Sequence, residues 1–444
     1  MKIKSKLTLS FLIKSGLLIA FFTGFLWAEP QDPPDFTDHE LPMDDRPAPR
    51  AWEMGLVDMG VLFLALSLTS FLVLKKRSRK GIFWLSLFSL GYFGFFREGC
   101  VCPIGSIQNI AQAVFSPNYV APLVVIFFFF APLIYSALFG RSYCASVCPH
   151  GAIQDAVLIK PIQVPTWIDH GLGFLPFIYL GLGVLFAATG SAYIICDYDP
   201  FIAIFRLSGN ANMLGLGALF LIAGMFIGRP YCRYMCPYGV LLRIFSHVSK
   251  YQVKIYPDRC IDCSLCDYSC PFDAIRKTTP EHQKVDPKKG KKRFVSLLVL
   301  APFVIVLMGY LTSLMSPYLA KVNEKVSLAY EIEEQEMLLE KGVPLQEIVR
   351  SEESETWRDR YDDPEALFVE ANVILDQFKI GAWALGIWIG LVMMVKLIKL
   401  NTHRVRNEYE ADRGSCYSCG RCYDYCPGSN GIPLQFKTGG HLRQ

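Results

Sequence analysis

Cys260-Ile261-Asp262-Cys263-Ser264-Leu265-Cys266-Asp267-Tyr268-Ser269-Cys270-Pro271 is matched, with 144 residues between the two stretches, by Cys416-Tyr417-Ser418-Cys419-Gly420-Arg421-Cys422-Tyr423-Asp424-Tyr425-Cys426-Pro427. Both read C-x2-C-x2-C-x3-C-P, the spacing that holds a [4Fe–4S] cubane. Two-residue gaps let a tight loop present three thiolates to successive corners, and the proline after the fourth cysteine turns the chain away. The alternative is structural zinc, which uses paired C-x2–4-C ligands. A third cysteine at the same interval followed by x3-C-P has no use in a tetrahedral site.

Outward from these runs the chain is apolar. Mean hydropathy is +0.30, hydrophobic residues make up 52% and aromatics 14%, a composition that excludes an ordinary soluble protein of this length. Seven spans are expected, at residues 54–74, 82–96, 119–139, 171–189, 211–228, 294–315 and 380–395, against the ~20 residues a bilayer core needs. The fold class is thus mostly α, a polytopic helical membrane protein. Ahead of the spans, Lys2, Lys4, Lys6 and Lys14 precede the apolar stretch 17–27, which reads as a signal peptide (1–28) or an uncleaved anchor. An acidic outer segment (29–52) follows.

Basic residues orient the chain. Lys75, Lys76, Arg77, Arg79 and Lys80 place the end of the first span inside, and alternation then puts 140–169, 229–293 and 396–444 inside too. The loop 317–378 carries sixteen Asp/Glu against six Lys/Arg and falls outside. It reads as amphipathic helices at 328–339 and 364–378, a cover for the membrane domain or a docking surface for a basic partner. The expected location is a bacterial inner membrane, multi-pass.

Both runs then face the cytoplasm, where thiols stay reduced. In two-cluster ferredoxins the fourth cysteine of each run ligates the other cluster. Cys260, Cys263, Cys266 and Cys426 would hold one [4Fe–4S] cluster, and Cys416, Cys419, Cys422 and Cys270 the second. One ferredoxin-like domain is therefore expected in two pieces, 251–293 and 400–444, split by a membrane hairpin (294–399).

The membrane domain (53–250) holds a second repeat. Cys144-x3-Cys148-Pro149-His150-Gly151 and Cys232-x3-Cys236-Pro237-Tyr238-Gly239 each follow the inner end of a span, and Cys100-x-Cys102-Pro103-Ile104-Gly105 sits at an outer end. Cys144, Cys148, Cys232 and Cys236 supply enough thiolates for a third metal site; the other reading is four buried thiols. Cys100, Cys102 and Cys196 map outside and would form either an outer metal site or one disulfide with a thiol left over. His150 and His247 read as solvated or capping residues.

The x3-C-P pairs after spans, Cys196-Asp197-Tyr198-Asp199-Pro200-Phe201 and the split runs together resemble the membrane polyferredoxins of the NosR/NapH type, over most of residues 53–275 and 416–427. The resemblance implies electron transfer between the quinone pool or a cytoplasmic donor and a periplasmic acceptor in anaerobic-type respiration. NosR-like chains carry an outer flavin domain with flavin attached to a threonine. The nearest segment here, Ala188-Thr189-Gly190-Ser191, does not match, so the chain reads as the NapH-like form or as one subunit whose flavin is carried elsewhere. The alternative function is an accessory protein that assembles, reactivates or regulates a periplasmic metalloenzyme. Gly-x-Gly pairs lie inside a span, which excludes a nucleotide loop. Seven histidines offer no facing pair for haem, no nucleophile constellation appears, and nothing points to nucleic acid.

Overall fold

Apolar run length sets the architecture. In the computed structural model four helices are long and apolar enough to cross a bilayer: Trp52–Lys76, Thr166–Ala188, Gly290–Leu314 and Glu365–Asn401. The structure describes residues 52–99, 102–117, 119–255, 263–279, 287–344, 350–360, 365–402, 406 and 409–426. Leu123–Phe139 and Ala211–Gly224 are apolar but shorter. The stretch expected to span at 82–96 is a helix of two parts, Arg79–Ser89 and a π-helical continuation Leu90–Phe96. Ser78 caps its start by accepting the Gly81 N–H at 3.2 Å, which meets one orphan donor of the first turn.

The expected outer helix 364–378 is not a separate element. It is the first part of Glu365–Asn401, one helix of 37 residues. No proline interrupts this stretch, so a polar and an apolar half share one continuous hydrogen-bond ladder. The helix Glu324–Glu340, capped by Asn323, lies along its first half, with Val326 and Ile332 buried among Leu367, Ala371 and Phe378.

Helix Gly290–Leu314 has only 6% of its apolar window buried, and Phe303 and Val299 stand exposed. Lipid is the solvent such a surface requires. The helix is held along one face by Glu365–Asn401. A Cβ on Gly309 would meet the Trp383 ring at 2.6 Å, and Gly386 abuts the Met308 carbonyl. Glycines permit the close backbone approach by which membrane helices associate.

The main core gathers Leu62, Phe93, Ile104, Phe128 and Tyr238 around Cys144, Cys148, Cys232 and Cys236. Beside it lies a two-stranded sheet, β1 (Ile275–Arg276) and β2 (Glu410–Ala411). The pairing is antiparallel, with Ile275 opposite Ala411 and Arg276 opposite Glu410.

Candidate functional site

The sheet joins the two halves of the expected split domain. Asp412 N–H donates to Ala274 O at 2.8 Å, and Thr279 N–H to Arg406 O at 2.9 Å; Arg406 N–H returns to Thr279 Oγ1 at 3.0 Å. The short helices Leu265–Tyr268 and Arg421–Tyr425, which carry Cys266 and Cys422, pack together. In both runs the residue after the second cysteine is left-handed, Ser264 at φ 58° and Gly420 at φ 72°. That turn reverses the direction of the loop between the second and third cysteines.

Cys270, Cys416, Cys419 and Cys422 line one cleft of about 340 Å³, part of it open to solvent, with Val253, Phe272 and Tyr417 in its walls. This brings together the set read from sequence for the second run, including its crossed member. Burial pushes the Cys270 thiol up to about 11 and Cys416 up to about 12. Burial and the neighbouring Cys416, Cys419, Cys270 and Cys266 raise Cys422 well above the usual thiol range. Cysteine thiols facing one space suit a cationic centre that binds them as thiolates. Among the described residues no three His, Cys, Asp or Glu side chains converge as single-ion ligands do. Of the other set, Cys263, Cys266 and Cys426 are half-buried; Cys260 lies outside the described residues, as does the exit segment 427–429.

The C-P-x-G motif has a physical explanation. Pro103–Phe115, Pro149–Val157 and Pro237–His247 are helices with cysteine at the N-cap and proline at the first position. Cys102 Sγ accepts from Ile104 N–H at 3.4 Å, and Cys236 Sγ from Gly239 N–H at 3.3 Å. The positive end of a helix favours sulfur as thiolate. The glycine leaves room for what each sulfur faces. A Cβ on Gly105 would stand 2.9 Å from Cys196 Sγ, one on Gly151 2.9 Å from Arg229 Nη1, and one on Gly239 3.3 Å from Arg141 Nη2.

Cys144, Cys148, Cys232 and Cys236 come together, all buried and within electrostatic reach of one another. Gln154 Nε2 donates to Cys232 Sγ at 3.4 Å. Cys102 lies within reach of Cys148 and Asp199, which corrects the expectation that Cys102 and Cys148 sit on opposite membrane faces. Hydropathy reports how long an apolar run is. It does not reveal that the three cysteine-capped helices are short and bring their N-termini together inside the protein. Cys102 and Cys196 are not bonded to each other, so the disulfide alternative does not hold for that pair; Cys100 lies outside the described residues.

His150 also departs from its reading. It is 1% exposed, its Nε2 lies 2.8 Å from Asp199 Oδ2, and its ring stacks on Tyr231. The signal was present in Cys196-Asp197-Tyr198-Asp199-Pro200-Phe201, but no spacing rule links that segment to residue 150. His247 is exposed, as expected.

The run and the membrane thiols touch. Tyr417, between Cys416 and Cys419, is buried and donates its hydroxyl to Cys232 O at 3.1 Å. Its ring packs on Phe272, centroids 4.6 Å apart. Arg229 forms a two-pronged bond to Asp155, 3.0 and 2.8 Å, donates to the Cys144 carbonyl, and faces the Tyr417 and Phe272 rings. Arg79 reaches Asp155 from the other side at 3.6 Å.

Membrane helices around paired ferredoxin loops define a membrane iron–sulfur protein. Models of 4Fe–4S binding domains match residues 120–161 with 210–255 and residues 253–276. An uncharacterised protein of Methanocaldococcus jannaschii is 28% identical over 202 residues, 44% of this chain and 82% of that one. The putative electron transport protein YccM of Escherichia coli is 25% identical over 38% of this chain and 52% of its own. The regulatory protein NosR of Pseudomonas aeruginosa is 24% identical over 60% of this chain and 42% of its own. The chain thus spans about half the length or less of the last two. No solved structure matches. The chain is thus similar to membrane 4Fe–4S proteins, NosR among them.

Proposed function

We propose that this protein carries electrons through iron–sulfur clusters between the quinone pool or a cytoplasmic donor and a periplasmic acceptor. The observation that carries the reading is Tyr417. A residue inside a cluster-binding run is bonded to the backbone of Cys232, so the two thiol groups are joined within one packed core. The [4Fe–4S] group supplies one-electron transfer at either site. Cys270, Cys416, Cys419 and Cys422 are the proposed ligands of one ferredoxin cluster, Cys260, Cys263, Cys266 and Cys426 of the other. Cys144, Cys148, Cys232 and Cys236 are the proposed third set, with Cys102 and Cys196 continuing the row toward the periplasmic side. First-turn N–H groups of Pro103–Phe115 and Pro237–His247 donate to the Cys102 and Cys236 sulfurs. In this reading the ferredoxin module lies in the cytoplasm, the membrane is a bacterial inner membrane, and a flavin-carrying subunit is a candidate partner.

The printed name of the Escherichia coli relative, a putative electron transport protein, supports this reading over the accessory role. Rapid-mixing of anaerobically purified protein with quinol separates the two. Cluster reduction within seconds is expected of a carrier. Clusters that no quinol or low-potential donor reduces on that scale would leave the accessory role in its place.

A further inference from the structure

We propose that Arg141 is the counter-cation of an anionic iron–sulfur group held by Cys144, Cys148, Cys232 and Cys236, and the positioning residue that couples this group to the second ferredoxin run. The inference rests on the electron-transfer reading and deepens it, because it assigns what sets the potential of the membrane-domain site.

Arg141 is 2% exposed and among the largest fully buried side chains. A guanidinium stays charged at any working pH, and a buried charge is strongly disfavoured unless something opposite faces it. Among the described residues no carboxylate lies within ion-pair distance of Arg141. The groups that do face it are Cys144, Tyr417, Cys236 and Cys232, with Arg243 adding positive charge nearby. Arg229, the other fully buried arginine, has Asp155. Among the described residues, the groups set against Arg141 that can become anions are thiols and a phenol.

Its geometry aims the charge at sulfur. Nη2 donates to Cys144 Sγ at 3.7 Å, while Nε is buried without a partner. Gly239 keeps the space beside Nη2 open. A cluster with four thiolate ligands carries net negative charge, which supplies the missing counter-ion. On its other side Arg141 holds the ferredoxin run. Nη1 donates to Gly414 O at 3.1 Å, and the guanidinium lies 4.1 Å over the Tyr417 ring. One side chain therefore spans both thiol groups. A fixed positive charge favours the reduced, more negative form, so Arg141 raises the potential of the membrane-domain group.

The test uses the full chain, purified anaerobically, with iron and acid-labile sulfide counted and an EPR-monitored redox titration. Arg141→Met is expected to lower the midpoint potential of the third centre by more than that of either ferredoxin cluster. Arg141→Lys, which retains the charge, is expected to stay near the wild-type potential. Loss of the third centre in Arg141→Met with retention in Arg141→Lys also supports the charge role. An unshifted potential in Arg141→Met with iron retained overturns the inference, as does equal loss of the centre in both variants. Wild-type iron no greater than two ferredoxin clusters need overturns instead the assignment of the third set on which the inference rests.

Discussion

Arg229→Met should destabilise the protein by about 4 kcal/mol, and the structure says why. Asp155 is 5% exposed at its side chain and is held by both prongs of Arg229, itself 1% exposed. Removing one partner of a buried pair costs about 3–5 kcal/mol, because the other charge is left unmet. Arg79 remains at 3.6 Å, which keeps this part near the low end, about 3 kcal/mol. The Cys144 carbonyl loses a charge-assisted donor, adding about 1 kcal/mol. Methionine fills much of the volume, so no large cavity adds to the total. Replacing Asp155 with Asn in the same chain removes the stranded charge, and about half the loss, roughly 2 kcal/mol, should return. Titration with SDS of the detergent-solubilised chain, followed by tryptophan fluorescence, measures both. If the double variant is as unstable as the single, or the single loses under about 1 kcal/mol, the pair is not the buried strut described here.

Other consequences follow from the same contacts. Gly151→Ala places a methyl 2.9 Å from Arg229 Nη1 and should cost about 1–3 kcal/mol through overpacking; a cost below that, measured in the same titration, would mean the guanidinium shifts freely. Asp412 accepts from Gly414 N–H at 3.1 Å and Ser415 N–H at 2.9 Å. Burial raises its pKa, but Lys399, Arg276 and the Ser415 bonds outweigh this and hold the carboxyl below its usual range. Its contribution is therefore present above the unfolded value of ~3.9 and lost as pH falls through the lower folded value. Hydrogen exchange at Gly414 and Ser415 should show that loss, and Asp412→Ala, which removes the acceptor, should leave both amides unprotected on either side of that transition. Cys102→Ser or Cys196→Ser should stop electron delivery to a periplasmic acceptor while both ferredoxin signals persist; full turnover in both would make these thiols structural.

Cysteine spacing pointed to ferredoxin ligand sets because a cubane imposes local geometry, and the fourth cysteine of the first run lines a cleft with three cysteines of the second. Apolar run length found the long helices for the same reason: a bilayer imposes a length. What lay hidden depends on contacts between distant residues. His150 meets Asp199 across 49 positions, and Tyr417 meets Cys232 across 185. Arg141 and Arg229 looked like inner-loop charges of the kind that orient a membrane protein. Nothing local marks them as buried. The proximity of Cys102 to Cys148 was misjudged because short cysteine-capped helices and full spans look alike to a hydropathy window.

The split domain is tested most directly by Cys270→Ser. EPR of the reduced protein should show the cluster of Cys416, Cys419 and Cys422 lost or converted while the cluster of the first run survives. Loss of the first-run cluster, with the second intact, would contradict a ferredoxin shared between the two halves of this chain.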